Sequence, residues 1–368
     1  MGQCNLCQKK SRFISKALSV CLECIRQRPK ESLPLIQDCH RISRAAFNLP
    51  ETPPDDPEGI ACNICINSCK IPEGKFGYCG LRKNLKGMIT GVSSDEGKLS
   101  WYHDPLPTNC VGDWVCAGGT GAGYPQYACK PGPETGHKNL AVFFHACSFN
   151  CLFCQNWHFR HETMRPRNRT VSDLVSAVDQ QTSCICYFGG DPGPQIAYSL
   201  KASQKAVESN NDRILRICWE TNGSMHSTYL DKMLVLAIES GGCIKFDLKA
   251  WDDNLHRALT GISNRQTIEN FIRAGKKINN RSEPPLLIAS TLLVPGYIDE
   301  EEISNIAAFI KSINPDIPYS LLGFHPQFYM SDLPVTSGNL ADNCKKAAME
   351  AGLTNIRIGN MHLLSGIQ

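Results

Sequence analysis

The fold is indicated by the stretch NLAVFFHACSFNCLFCQNW, residues 139–157. It opens with a short, mostly apolar run, which is typical of a buried strand in a parallel sheet. Three cysteines follow directly in the spacing C-x3-C-x2-C: Cys147, Cys151 and Cys154. Because α/β proteins place their chemistry at the carboxyl ends of strands, these cysteines are candidates for a functional site.

From residue 139 onward, apolar runs alternate with segments of helical spacing. The runs cover residues 139–145, 184–188, 213–220, 242–247, 286–294 and 319–324. The helical segments cover residues 171–180, 195–209, 228–240, 267–278 and 300–313. This alternation is typical of βαβ units around a parallel sheet. Because a closed barrel of this kind takes eight such units, we predict an α/β fold with a partial (β/α)6 barrel.

The composition differs before residue 139. Residues 1–138 are rich in cysteine, proline and glycine and contain few long periodic segments. The stretch PETPPDDPEGI, residues 50–60, predicts a boundary, because proline fixes the backbone and removes a hydrogen-bond donor. We predict a zinc-ribbon-like segment at 1–50, a cysteine-rich auxiliary metal or iron–sulfur region at 61–138, and the barrel at 139–368.

Bulk properties exclude several classes of protein. The chain has 368 residues, of which 42% are hydrophobic, so it can bury a sizeable core. Its net charge of +3 is too small to indicate nucleic acid as a partner. No apolar run approaches the ~18 residues that cross a bilayer. The first residues, MGQCNLCQKK, lack the pattern of a secretory signal. We expect a soluble, cytoplasmic protein without a membrane partner.

The 20 cysteines are the most informative feature of the composition. Cytosolic thiols are kept reduced, so this number favours metal binding over disulfides. Three thiolates in one short loop can face one [4Fe–4S] cluster and leave its fourth iron open to a small molecule. We predict that Cys147, Cys151 and Cys154 hold such a cluster. Buried or zinc-bound thiols are the alternative.

Three further cysteine sets precede the barrel. The first has the spacing C-x2-C-x13-C-x2-C, which favours a tetrahedral Zn²⁺ over an iron–sulfur cluster. The second, C-x2-C-x3-C-x9-C, fits either zinc or an auxiliary iron–sulfur cluster. The third lacks an obvious fourth ligand: Cys39, His103 or His137 could supply it, or the fourth position could be open. The first set consists of Cys4, Cys7, Cys21 and Cys24, the second of Cys62, Cys65, Cys69 and Cys79, and the third of Cys110, Cys116 and Cys129.

Two other groups of residues are interpreted as structural. Small buried thiols are common in protein cores, which predicts a packing role for Cys184, Cys186, Cys218, Cys243 and Cys344. A solvated basic loop is predicted for Arg160, Arg165, Arg167 and Arg169, with docking of an acidic reductant as the alternative.

With these motifs the chain resembles the radical S-adenosylmethionine (SAM) superfamily. FGGDP, residues 188–192, is similar to the Gly-Gly-Glu-Pro motif of that superfamily. ETNG at 220–223, DLK at 247–249, VPG at 294–296 and LLGFH at 321–325 resemble motifs of the glycyl-radical-enzyme activases, typified by pyruvate formate-lyase activating enzyme. The second cysteine set resembles the region before the core in the Memo-associated radical SAM group.

The resemblance implies a [4Fe–4S] cluster and SAM as cofactors. It implies an oxidoreductase that cleaves SAM to a 5′-deoxyadenosyl radical, takes its electron from a donor of the flavodoxin or ferredoxin type, and acts on a protein substrate. The implied SAM-binding residues are Phe153, Gln155, Gly189, Gly190, Asp191, Thr221, Asn222, Asp247, Leu248, Lys249 and His325. The alternatives are a protein- or RNA-modifying radical SAM enzyme with auxiliary clusters, and a non-catalytic zinc-scaffold or nucleic-acid-binding protein.

Overall fold

The structure is a computed structural model that describes residues 1–108 and 110–366. The strands are β1 (Gly2–Gln3), β2 (Lys10–Ser11), β3 (Ile60–Ala61), β4 (Lys70–Ile71), β5 (Arg82–Leu85), β6 (Met88–Gly91), β7 (Glu96–Gly97), β8 (Leu99–Pro105), β9 (Lys138–Phe144), β10 (Arg169–Thr170), β11 (Thr182–Gly189), β12 (Arg216–Thr221), β13 (Ile244–Asp247), β14 (Leu287–Leu293), β15 (Tyr319–Gly323) and β16 (Ile356–Gly359). The α-helices are α1 (Leu22–Gln27), α2 (Pro29–Ala45), α3 (Ala117–Thr120), α4 (Phe159–Thr163), α5 (Val171–Ser176), α6 (Ile196–Glu208), α7 (Ser227–Ser240), α8 (Asp253–Thr260), α9 (Arg265–Gly275), α10 (Glu300–Ile313) and α11 (Gly338–Glu350).

An eight-stranded sheet forms the centre of the molecule, in the order β16-β15-β14-β13-β12-β11-β9-β8. Within this sheet, β9 and the strands from β11 to β16 are parallel to their neighbours, whereas β8 is antiparallel to β9. The six predicted strands correspond to β9 and β11 to β15, so the predicted α/β fold with a parallel sheet is confirmed. Two strands of this sheet were not predicted. Strand β16 extends the parallel part, and β8 adds a strand from the cysteine-rich region.

Helices connect the parallel strands and cover the outside of the sheet. Side-chain oxygens cap several of them: Asp252 accepts from the backbone of Leu255, and Asp299 accepts from that of Glu302. Such caps satisfy backbone donors that have no partner within the helix. Within the described residues, no helix is long and apolar enough to span a membrane.

The first fifty residues pack against the barrel. Ile14, Leu18 and Ile25 are buried in the same apolar cluster as the barrel strands. The guanidinium of Arg26 forms ion pairs of 2.9 Å with Asp299 and Glu302 at the start of α10. This segment therefore shares the main core, and β8 of the following region belongs to the central sheet. The three-part division of the chain stays a prediction.

Residues 110–116, here called the inner loop, extend from the cysteine-rich region into the barrel. The indole Nε1 of Trp114 donates to Ser320 Oγ on β15 at 3.1 Å. Asp113 forms a 2.8 Å ion pair with Arg357 on β16. A Cβ on Gly112 would lie 2.8 Å from Ile288 Cδ1, so the backbone of the inner loop passes close to a side chain of β14. The inner loop thus forms part of the barrel interior.

Candidate active site

A cavity of about 370 Å³ lies at the carboxyl ends of the parallel strands. It joins sequence motifs that lie far apart along the chain, as the strand-end rule predicts. Of the predicted triad and SAM-binding residues, those lining it are Cys147, Cys151, Cys154, Phe153, Gln155, Gly189, Gly190, Asp191, Thr221, Asn222, Asp247 and Lys249.

The loop that carries the cysteine triad (Cys147, Cys151 and Cys154) is fixed by hydrogen bonds from its middle residue. The backbone N–H of Asn150 donates to the carbonyl of Thr260 at 2.8 Å. Its side-chain Nδ2 donates to Ser43 Oγ at 2.6 Å and lies 2.9 Å from Nδ1 of His40. Helix α2 therefore positions the triad loop from behind. Sequence reasoning missed this contact, because about 110 residues separate its two sides.

Burial dominates the electrostatics of the triad. It raises the pKa of Cys151 to about 12, while the nearby Lys249 ammonium opposes this rise. Burial also raises the pKa of Cys147, and the Asp191 carboxylate adds to the rise. A metal ligand must be the thiolate, so metal binding here would release protons.

Asp191 joins the ends of β11 and β12. Its carboxylate accepts from the backbone N–H of Gly193 at 2.7 Å and of Asn222 at 2.8 Å, and from Thr221 Oγ1 at 2.9 Å. Burial raises the pKa of Asp191 to about 6, although these three donors act to lower it. The carboxylate is thus committed to positioning the two loops.

The glycines before it allow a close backbone approach. A Cβ on Gly190 would lie 2.1 Å from the carbonyl oxygen of Ala146, and Gly189 has a φ of +89°. Only glycine is compatible with both conditions at low cost. The end of β11 therefore lies directly against the start of the triad loop.

Asn222 connects the third strand end to the triad. Its Nδ2 donates to Ser148 Oγ at 2.9 Å and lies 3.6 Å from Cys147 Sγ. Amide groups close to a cluster thiolate tune its reduction potential. Asn222 is therefore positioned to affect a cluster held by Cys147.

Two cations face the cavity beside the triad. Lys249 Nζ forms a 2.6 Å ion pair with Asp247 and lies 5.8 Å from the centre of the Phe153 ring. Arg160 is 2% exposed and also lines the cavity. Among the described residues, its Nη1 has no hydrogen-bond partner. The prediction that Arg160 belongs to a solvated loop is therefore wrong, because the rings of Phe159 and Phe328 pack against its guanidinium group.

The opposite wall comes partly from the cysteine-rich region. Tyr102 and Asp104 of β8 and Cys110 of the inner loop line the cavity. Lys245 Nζ lies 3.3 Å from both Cys110 Sγ and Glu220 Oε1. Burial raises the pKa of Glu220, and the Lys245 ammonium opposes this rise. The far end of the cavity thus carries a thiol, a carboxylate and an ammonium group.

Two predicted SAM-binding residues lie elsewhere. His325 is exposed, its Nδ1 lies 3.3 Å from Gln327 Nε2, and it does not line the cavity. The side chain of Leu248 is buried in the apolar core. The role of both residues in SAM binding stays a prediction.

The first cysteine set forms a compact group near the N-terminus. The sulfurs of Cys4, Cys7, Cys21 and Cys24 all lie within 4.8 Å of one another. Four such sulfurs can surround one tetrahedral ion. This group is thus a candidate metal site, separate from the cavity.

The third set is divided in the structure. Cys110 and Cys116 belong to the inner loop, whereas the backbone N–H of Cys129 donates to Glu134 Oε1 at 2.7 Å, beside the buried Glu134–Arg216 ion pair. The predicted metal role of these three cysteines stays a prediction.

Comparisons with known proteins agree with this arrangement. Residues 141–310 match the Radical SAM superfamily. An uncharacterized protein of Methanocaldococcus jannaschii is 24% identical over 316 residues, which is 83% of each chain. The isethionate sulfite-lyase activating enzyme of Oleidesulfovibrio alaskensis is 29% identical over 165 residues, 43% of this chain and 49% of that enzyme. The pyruvate formate-lyase 1-activating enzyme of Escherichia coli K12 is 23% identical over 191 residues, 50% of this chain and 73% of that enzyme. The match to the Radical SAM superfamily thus covers the triad loop and the ends of β11, β12 and β13, which line the cavity.

Proposed function

We propose that this chain is a radical SAM enzyme of the glycyl-radical-activase type, which removes a hydrogen atom from a protein substrate. The observation that carries the proposal is the convergence of the cysteine triad and four strand-end motifs on one cavity. The likeness to activating enzymes supports the type of substrate and a low-potential electron donor of the flavodoxin or ferredoxin type.

The residues present fit the two cofactors. Three cysteines of one loop face the cavity, and thiolate is the ligand that iron–sulfur clusters use. The unpartnered Nη1 of Arg160 is a buried donor beside this loop, where an anionic group would neutralise it. When bound, a [4Fe–4S] cluster would supply the electron that cleaves SAM to methionine and a 5′-deoxyadenosyl radical.

The residues of the chain would bind and orient the cofactors and exclude water from them. Lys249 and Arg160 can hold the carboxylate of SAM by charge-assisted hydrogen bonds. The absence of side chains at Gly189 and Gly190 lets the strand end approach a ligand closely. The rings of Phe153 and Phe188 line the cavity and supply apolar surface against which a cofactor can pack. Cofactor chemistry of this kind depends on the protein for such positioning.

The test is anaerobic turnover of SAM with a low-potential reductant, with 5′-deoxyadenosine as the measured product. The variant Cys147→Ala/Cys151→Ala/Cys154→Ala is expected to form none while keeping the circular dichroism of the parent. Cys344→Ala is the matched control, because Cys344 is buried in α11 away from the cavity. Undiminished product in the triple variant would refute the proposal.

A further inference from the structure

The second cysteine set converges beside the triad loop. It consists of Cys62, Cys65, Cys69 and Cys79. Two of its members pack together with two triad cysteines around the rings of Phe149 and Tyr78. The backbone N–H of Cys62 donates to the carbonyl of Cys69 at 2.7 Å, and the backbone N–H of Tyr78, the residue before Cys79, donates to Cys69 Sγ at 3.4 Å. The four thiols are therefore close to one another and to the triad.

Hydrogen bonds attach this segment to the loops of the active site. The backbone N–H of Ile66 donates to the carbonyl of Ser224 at 2.9 Å, just after the third strand-end motif. The side-chain Nδ2 of Asn67 donates to the carbonyl of Ser148 at 2.8 Å, within the triad loop. The position of the second set relative to the triad is thus fixed by the fold.

Sulfur spacing distinguishes this set from the first. The four sulfurs of the first set lie within 4.8 Å of one another, as a single ion requires. Among the described residues, neither the second set nor the triad contains three sulfurs that meet this limit. A four-iron cluster is larger than one ion, so its thiolates stand further apart. Unlike the first set, the second set is therefore not drawn together around the position of a single ion.

Buried charge indicates an anionic centre at the same place. Arg44 and Arg82 are 2% and 7% exposed, and neither forms an ion pair within the described chain. Their guanidinium groups donate to backbone carbonyls instead, including those of Tyr78 and Pro194. Burying a cation without a counter-charge is costly. Thiolates that hold a metal centre would supply that counter-charge.

We propose that the second cysteine set holds an iron–sulfur cluster through which an electron reaches the triad, an inference that rests on the proposed function. Three of its cysteines are partly exposed, and the adjacent Asn63 and Ser68 are exposed, so a donor protein can approach. One electron leaves the donor of the flavodoxin or ferredoxin type and reduces this cluster. The same electron then reduces the triad cluster, so the second cluster returns to its oxidised form and no bond changes.

The site is tested by metal analysis of anaerobically prepared full-length protein. The variant with all four second-set cysteines replaced by Ala and the triad variant are each expected to lose about half of the bound iron and sulfide, because each would remove one of two four-iron clusters. The control variant Cys344→Ala is expected to keep both clusters. Full iron in the second-set variant, or zinc at this set in the parent protein, would overturn the inference.

A spectroscopic measurement guards against misfolding of the second-set variant. After chemical reduction, the triad variant should still show the electron paramagnetic resonance signal of a reduced iron–sulfur cluster. A triad variant without such a signal would contradict the second cluster. The two proposals fail separately: SAM turnover by the triad variant would refute the first, whereas missing second-set iron in an active parent would refute only the second.

The electron route has its own readout. Stopped-flow mixing with reduced flavodoxin is expected to show a fast phase of cluster reduction in the parent protein and in Cys344→Ala. The second-set variant should lose that fast phase. Equal rates in the parent and this variant would show that the electron does not pass through the second set.

Discussion

At the scale of single residues, Gly190 is placed where a side chain cannot fit. A Cβ there would overlap the carbonyl oxygen of Ala146 at 2.1 Å, between the triad loop and the end of β11. Gly190→Ala is expected to destabilise the chain by roughly 3 kcal/mol and to weaken SAM binding, because the two loops must separate. Urea unfolding and equilibrium binding measure these effects. Gly132→Ala is the control, since a Cβ there meets no atom within 4 Å. Equal effects of the two substitutions would contradict this explanation.

Lys249 is the second residue whose position leads to a prediction. Its ammonium lies beside the triad and pairs with Asp247 at 2.6 Å. Lys249→Ala should weaken SAM binding by about 1.5–3 kcal/mol, or one to two decades, the contribution of a hydrogen bond to a charged group. Lys201→Ala, which breaks an ion pair at the surface with Asp95, is the control. Calorimetric titration with SAM checks both, and unchanged affinity in the Lys249 variant would exclude this contact.

The residue scale also shows what the sequence could predict of the site. Most predicted SAM contacts line the cavity, because they follow strands whose carboxyl ends meet at one edge of the sheet. Arg160 was assigned to solvent since its neighbours in sequence are basic. Its burial depends on the rings of Phe159 and Phe328, whose centres lie 4.8 and 4.6 Å from its guanidinium carbon. Local sequence carries no record of such contacts.

At the scale of elements, His40 of α2 contacts the triad loop and makes the stability of the folded chain depend on pH. Burial lowers the pKa of His40 from 6.5 to about 4 in the folded chain. Between these values the unfolded chain binds a proton that the folded chain does not, so stability decreases as the pH falls. For His40 the decrease between pH 6.5 and 5 is roughly 2 kcal/mol.

Urea unfolding of the parent and of His40→Gln at several pH values checks this prediction. Burial also lowers the pKa values of His145 and His256, so the parent should show the combined slope of all three histidines. The difference between the two proteins isolates His40. Identical slopes would show that folding does not lower the pKa of His40.

The sequence predicted the strands of the barrel better than the strands and helices of the region before it. Six strands were predicted because buried parallel strands are continuous apolar runs. Strand β8 was missed because five of its seven residues are exposed or half-buried polar or aromatic groups. Helix α2 was missed because Pro34 lies within it and its sequence contains few apolar residues. Its contacts with the triad loop form only in the folded chain.

At the scale of the whole molecule, the first cysteine set is attached to the main core. Cys4, Cys21 and Cys24 are buried in the same apolar cluster as the barrel. Loss of a bound ion there should therefore lower the unfolding temperature of the entire chain, since metal affinity contributes to folding free energy. We propose zinc as this ion.

Differential scanning calorimetry of the variant Cys7→Ala/Cys24→Ala checks the prediction. One transition at a lower temperature is expected, together with loss of bound zinc. Cys344→Ala is the control for removal of a buried thiol. An early, separate transition would show that residues 1–50 unfold independently of the barrel.

The buried arginines around the triad and the second cysteine set have a consequence for the lifetime of the chain if these cysteines bind the proposed clusters. Arg44, Arg82 and Arg160 carry positive charge in the interior without a carboxylate partner among the described residues. A chain synthesised when iron is scarce would keep these charges uncompensated, and its loops would open more often. Because proteases degrade transiently open chains, abundance would then follow the supply of iron.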